Sequence, residues 1–201
     1  AILFACTFQD NAAVVGGAVA VEAGETVIQR CDFLGNTSSS TGGAVNLYAC
    51  VAEVLDCRMV GNSCADDGGG LNGYQSSVVL RNVLMAGNQA GDDGGGLTLL
   101  QGTHELSYLT VDSNSCADDG AGILLSAVDY ASLSSCIVTS NQGKHGIVGK
   151  GSPDVDFQCC CAWNNEMGNY AGWEDPTGTE GNISVDPAYA DTLYRLSQTA
   201  A

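Results

Sequence analysis

The sequence predicts an all-β fold, a right-handed parallel β-helix of about six coils of 26 residues with an irregular C-terminal cap. Three observations predict it: a repeat of 26 residues, short apolar stretches with alternating polarity, and similar side chains at equivalent positions of successive repeats. Glycines mark the repeat at Gly16, Gly42, Gly68, Gly94, Gly120 and Gly146.

Each repeat contains three apolar stretches separated by turn residues, as at 43–47, 53–55 and 57–60. None of these stretches is long enough for a helix of ordinary length. Within a stretch the apolar residues alternate, as Val19 and Val21 do, and this period of two indicates strands. Three strands in one repeat make one coil of a parallel β-helix, and successive coils stack about 4.8 Å apart.

Residues at equivalent positions of successive coils should form columns of similar character, and this requirement tests the predicted fold. Three columns are apolar throughout, so we expect their side chains to point into the core. They are Val19, Val45, Leu71, Leu97 and Ile123; Ile28, Val54, Leu80 and Leu106; and Phe33, Met59, Met85, Val111 and Val138.

A fourth column consists of asparagine and falls at a corner of the coil. Stacked amide side chains hydrogen-bond to one another and to turn backbone, so this column is predicted to be a structural ladder. Its members are Asn36, Asn62, Asn88 and Asn114.

The coils are predicted to occupy residues 1–158, and residues 159–201 are predicted to form a C-terminal coil and capping segment. The 201 residues include 6 Lys and Arg against 23 Asp and Glu, for a net charge of −17. Because there is no basic cluster, nucleic acid is not an expected partner. No run of 18 apolar residues occurs, so the sequence predicts no membrane insertion.

Ten cysteines in a chain poor in lysine indicate an oxidising compartment, so we expect an extracellular or cell-surface location. Several cysteines fall in one inward column, where stacked neighbours lie within the range of a disulfide. Cysteine is also a good small core residue, so both interpretations stay open. The disulfide candidates are Cys6, Cys31 and Cys57, and Cys136 with Cys161.

Two columns of aspartates precede the glycines in the middle coils. Like charges stacked about 5 Å apart repel by about 1 kcal/mol in water, so a cation is expected to offset them. Bound calcium is one candidate, and Lys144 and His145, which continue the columns, are another. Plain solvated turn residues are the alternative. The candidate metal ligands are Asp66, Asp67, Asp92, Asp93, Asp118 and Asp119.

The Gly-Gly-Ala-Val tag at 42–45 and the Cys-x-Phe-x-x-Asn motif at 31–36 resemble the repeat of polymorphic outer-membrane proteins. The same motifs resemble secreted right-handed parallel β-helix repeat proteins. Segments 159–165 and 181–187 resemble the closing module of those proteins. The resemblance implies the fold, but this class includes adhesins, surface-layer components and polysaccharide-active enzymes.

These observations predict an extracellular structural or adhesive β-helix module of a cell-surface or matrix protein. The chain starts in the middle of a coil, so we expect an open strand edge that pairs end to end with another copy or with a further domain. Surface glycans are further expected partners. The alternatives are a polysaccharide lyase or hydrolase that uses Asp118, Asp119, Lys144 and His145, and a calcium-dependent glycan-binding module.

Overall fold

The computed structural model describes residues 1–191 and 194 and confirms the predicted fold class. Parallel strands stack into a β-solenoid of about seven turns with a spacing of about 26 residues. Within the described residues, no helix is long and apolar enough to cross a membrane. The last turn passes through the segment 159–201, and residues 192–193 and 195–201 of that predicted segment lie outside the described residues.

The largest sheet, which we call the long sheet, has twelve strands and bends along two sides of the solenoid. In the second and third turns of the chain one strand of 11 residues spans both sides, whereas later turns use two shorter strands. Its strands are Ile2–Phe4, Val19–Gln29, Val45–Leu55, Leu71–Tyr74, Ser77–Arg81, Leu97–Leu100, Thr103–Ser107, Ile123–Ser126, Tyr130–Ser134, Ile147–Lys150, Val155–Gln158 and Tyr170–Ala171.

Two smaller sheets complete each turn. The seven-stranded sheet contains Thr7–Gln9, Asp32–Leu34, Arg58–Val60, Leu84–Ala86, Thr110–Asp112, Ile137–Thr139 and Cys161–Trp163. The four-stranded sheet contains Ala12–Ala13, Thr37–Ser38, Ser63–Cys64 and Gln89–Ala90.

The strand register confirms the three predicted apolar columns. Phe33 pairs with Met59, and Met59 pairs with Met85 on the following turn. These side chains are fully buried. Because each fully buried large apolar side chain contributes about 1.5–3 kcal/mol, the continuous apolar interior stabilises the stack along its whole length.

The repeated glycines serve a corner of the turn. Gly68 has φ +73°, a left-handed conformation that favours glycine. A Cβ on the adjacent Gly69 would collide with the carbonyl oxygen of Gly95 on the next turn. The corner therefore needs glycine both for its conformation and for close stacking.

The two ends of the solenoid differ. The first turn leaves Ile2 77% exposed and Phe4 53% exposed. At the other end, Ile183 bridges to Cys161 of the last turn. Trp173 packs against Phe157 with ring centroids 5.5 Å apart. The irregular segment that follows the last strand therefore covers that end.

Candidate functional site: the acidic corner

The six predicted metal-ligating aspartates lie together at one corner of the solenoid, which we call the acidic corner. The backbone N–H of Asp118 donates to the carbonyl of Asp92 at 2.9 Å, and the N–H of Asp92 donates to the carbonyl of Asp66 at 3.0 Å. Backbone hydrogen bonds between successive turns therefore stack the aspartates of the first column directly on one another. The two columns are Asp66, Asp92 and Asp118, and Asp67, Asp93 and Asp119.

The carboxylates of the second column form a ladder of their own. Asp67 Oδ1 accepts a hydrogen bond from the N–H of Asp93 at 3.2 Å. Asp93 Oδ1 accepts one from the N–H of Asp119 at 2.7 Å. Asp67 and Asp93 thus each satisfy a backbone donor on the next turn, and these bonds stabilise the stack in addition to placing charge there.

The surroundings of Asp67 disfavour the charged form of its carboxyl group. Burial raises the pKa of this carboxyl above its usual value. The hydrogen bond from Asp93 N–H lowers the pKa in part, and the neighbouring carboxylates of Asp93, Asp92 and Asp66 raise it further. A cation beside the column would offset the repulsion among these carboxylates.

The structure supplies that cation from Lys150. Its Nζ lies 2.9 Å from Asp93 Oδ2 and 3.0 Å from Asp119 Oδ2. Burial lowers the pKa of Lys150, but the hydrogen bonds to Asp93 and Asp119 more than offset this and raise it above the usual lysine value. The ammonium is therefore held charged between two carboxylates.

Sequence reasoning missed Lys150 and assigned this role to Lys144 and His145. Lys144 Nζ does lie 3.9 Å from Asp118 Oδ1. His145 forms no ion pair with an aspartate in the part of the chain that the structure describes. Lys150 ends the strand Ile147–Lys150 and lies in register with Ser126 on the previous turn. This register places its long side chain on the outer face, and it is the feature from which the role of Lys150 could have been predicted.

Calcium binding at the acidic corner stays a prediction. Oxygens of Asp92, Asp93 and Asp118 lie within 4.8 Å of one another. Calcium takes six to eight oxygen ligands, so these three would need further oxygens. Lys150 already contacts Asp93, and a metal ion would have to compete with its ammonium group.

Replacing Lys150 with methionine is expected to lower the free energy of unfolding at pH 7 by about 1 kcal/mol, since two charge-assisted hydrogen bonds are lost. After EDTA treatment, we expect added Ca²⁺ to raise the Tm of this variant more than that of the native chain. Thermal unfolding with and without Ca²⁺ measures both effects.

Lys144→Met is the matched control, because Lys144 makes only a long ion pair with Asp118. We expect its calcium response to match that of the native chain. An equal response in the native chain and in Lys150→Met would contradict the competition between Lys150 and calcium.

The asparagine column forms a continuous ladder that is longer than predicted. Asn62 Nδ2 donates to Asn88 Oδ1 at 2.9 Å, and Asn88 Nδ2 donates to Asn114 Oδ1 at 2.9 Å. Asn88 Nδ2 also donates to the carbonyl of Met59. The same bonds extend the ladder beyond the four predicted members to Asn11, Asn141 and Asn165.

The ten cysteines are present as free thiols. Of the first group, the N–H of Cys31 contacts Cys57 Sγ at 3.4 Å, and Cys6 also interacts with Cys31. These residues are thus stacked neighbours, and their disulfide stays a prediction for the oxidised protein.

The second predicted disulfide pair needs a correction. Cys161 pairs in register with Ile137, so Cys160, not Cys161, lies above Cys136. The reason is that this turn steps 24 residues, from Ile137 to Cys161, and not the 25 that we assumed. The interaction between the two side chains raises the pKa of the Cys136 thiol and lowers that of the Cys160 thiol.

A scan against protein-family models finds no matching family, and searches of curated proteins and of solved structures find no match.

Proposed function

We propose that this chain is a rigid structural and adhesive module of a secreted or cell-surface protein, as in the β-helix repeat proteins that its motifs resemble. The observation that carries the proposal is the unbroken ladder from Asn11 to Asn165 beside a continuous apolar core. Such a stack holds its surface side chains at fixed spacing. The ten cysteines in a chain poor in lysine support an extracellular location.

The ion pair of Asp119 with Lys150 supports this proposal over the lyase or hydrolase alternative. Asp119 is one of the residues that the alternative would use, and its carboxylate is already held by the Lys150 ammonium at 3.0 Å. The carboxylates of Asp67 and Asp93 also accept backbone hydrogen bonds from the next turn, so the acidic corner has a role in stacking the turns.

The first turn supports end-to-end association with a second copy. Its strand Ile2–Phe4 pairs on one side only, with Val19–Gln29. The carbonyl of Ala1 and the N–H of Ala5 bond to that neighbouring strand. Because successive residues of a strand direct their backbone groups to opposite sides, Ile2 and Phe4 direct theirs to the open edge.

The association we propose is a closed dimer. Pairing of two identical first turns satisfies both open edges by a two-fold axis. Growth into a filament would need a second open end, and the segment that contains Trp173 and Ile183 covers the last turn.

We expect sedimentation velocity to show a concentration-dependent dimer of the native chain. Ile2→Pro should be monomeric, because proline removes the edge N–H that the second copy would use. Ile2→Val is the matched control, since it keeps that N–H, and it should dimerise as the native chain does. A native chain that stays monomeric up to about 1 mM, the concentration at which even a weak association would appear, contradicts self-association.

A further inference from the structure

A groove of about 490 Å³ lies beside the acidic corner, on the outer face of the long sheet. The turn that carries Asp67 forms one wall, and outward side chains of two neighbouring strands form the floor. Its principal lining residues are Thr41, Asn46, Tyr48, Asp67, Asn72 and Tyr74.

Two tyrosines form an aromatic surface in this groove. Tyr48 and Tyr74 are paired in register on successive turns, with ring centroids 5.7 Å apart and an interplanar angle of 36°. They are 43% and 38% exposed, so part of each side chain is accessible to a ligand. An aromatic side chain offers a large apolar surface against which the C–H groups of a ring-shaped ligand can pack.

Beside the tyrosines, the side-chain oxygen of a buried asparagine accepts no hydrogen bond. Asn72 is only 5% exposed, and its Nδ2 donates to Asn46 Oδ1 at 2.8 Å. Thr41 Oγ1 donates to the same oxygen at 2.9 Å. Asn72 Oδ1 has no hydrogen-bond partner. An unpaired buried acceptor is destabilising, and a donor group on a ligand would recover that loss.

Further polar groups remain available in the groove. Asp67 uses Oδ1 for the N–H of Asp93, which leaves its Oδ2 without a hydrogen bond among residues 1–191. Glu22 also lines the groove, so its walls carry negative charge. A ligand with hydroxyl donors satisfies these acceptors, whereas an anionic ligand is repelled.

We propose that this groove binds a neutral saccharide, with the C–H faces of its pyranose rings on Tyr48 and Tyr74. Its hydroxyl groups donate to Asn72 Oδ1 and to the free oxygen of Asp67. Asn72 Oδ1 is covered in the free protein, so binding requires the amide to rotate toward the groove. The inference rests on the proposed adhesive function and names the class of ligand to which the module adheres.

The test is isothermal titration calorimetry of the full chain with cellopentaose, mannopentaose, maltopentaose and β-1,4-galactotetraose, and with oligogalacturonate as the charged comparison. We expect at least one neutral oligosaccharide to bind in the micromolar to millimolar range and the uronate to bind more weakly. Failure of all four neutral probes, or equal binding of the uronate, overturns the inference.

Variants locate the site. Tyr74→Ala and Asn72→Ala should each weaken binding of the neutral probe by about tenfold or more, through loss of ring contact and of the acceptor. Tyr108→Ala and Asn82→Ala are matched controls outside the groove and should bind as the native chain does. Unchanged binding by Tyr74→Ala together with Tyr48→Ala, two exposed positions whose change leaves the core intact, overturns the assignment.

The two proposals fail in distinguishable ways. A chain that dimerises through its first turn but binds no neutral probe overturns the saccharide site and leaves the structural module standing. A monomeric chain that binds the probe at Tyr74 contradicts self-association and supports the groove.

Discussion

Asn88→Ala is expected to lower the free energy of unfolding by about 4 kcal/mol, which is a large part of the stability of a typical domain. Asn88 Oδ1 accepts from both the backbone N–H and the Nδ2 of Asn62. Its own Nδ2 donates to Met59 O and to Asn114 Oδ1. Alanine removes all four of these hydrogen bonds at a buried position. Urea unfolding followed by circular dichroism measures the loss.

Asn11→Ala is the matched control, because Asn11 occupies the exposed end of the same ladder. Its N–H and Nδ2 both donate to Asn36 Oδ1, and no earlier asparagine depends on it. We expect a loss of about 1 kcal/mol, since the groups that it leaves can be solvated. Equal losses at Asn11 and Asn88 would contradict a cooperative buried ladder.

His104 is expected to make the protein less stable as the pH falls from about 6.5 to about 4. It is fully buried on the strand Thr103–Ser107, where Val78 and Ala131 are its neighbours in register. Its Nε2–H donates to the carbonyl of Gln101 at 3.0 Å, and its Nδ1 has no partner. Burial lowers the pKa of His104 to about 4, although the bond to Gln101 raises it in part.

The sign follows from proton binding in the two states. The unfolded chain protonates this histidine below pH 6.5, whereas the folded chain resists protonation until about pH 4. The contribution of His104 is therefore complete above pH 6.5 and decreases toward pH 4, by about 3 kcal/mol in all.

Urea unfolding at pH 7 and at pH 4.5 measures this effect, and His104→Val isolates it from the titration of the carboxylates. Valine suits a position between Val78 and Ala131, so the variant should keep its stability in acid better than the native chain does. The same loss between the two pH values in both proteins would show that His104 is not the responsible group.

The sequence by itself determined the fold, the apolar columns and the positions of the stacked aspartates. In a parallel solenoid the neighbour of a residue on the next turn lies one period along the chain. Contacts such as Phe33 with Met59 can therefore be read from a repeat of 26 residues. The central part of the asparagine ladder was predictable for the same reason.

The register of the last turns was decided by the tertiary structure, because the length of the repeat changes toward the end of the chain. The 27-residue step from Val111 to Val138 was predicted from the sequence, whereas the 24-residue step from Asn141 to Asn165 was not. This shorter step places Cys160 above Cys136.

Contacts between side chains of different columns were likewise shown only by the structure. Lys150 reaches Asp93, which is 57 residues away, along the outer face of the sheet. The groove of Tyr48 and Asn72 forms because the turn that carries Asp67 lies over the same face. A repeat specifies which residues stack along the axis, whereas the fold of each turn determines which columns meet sideways.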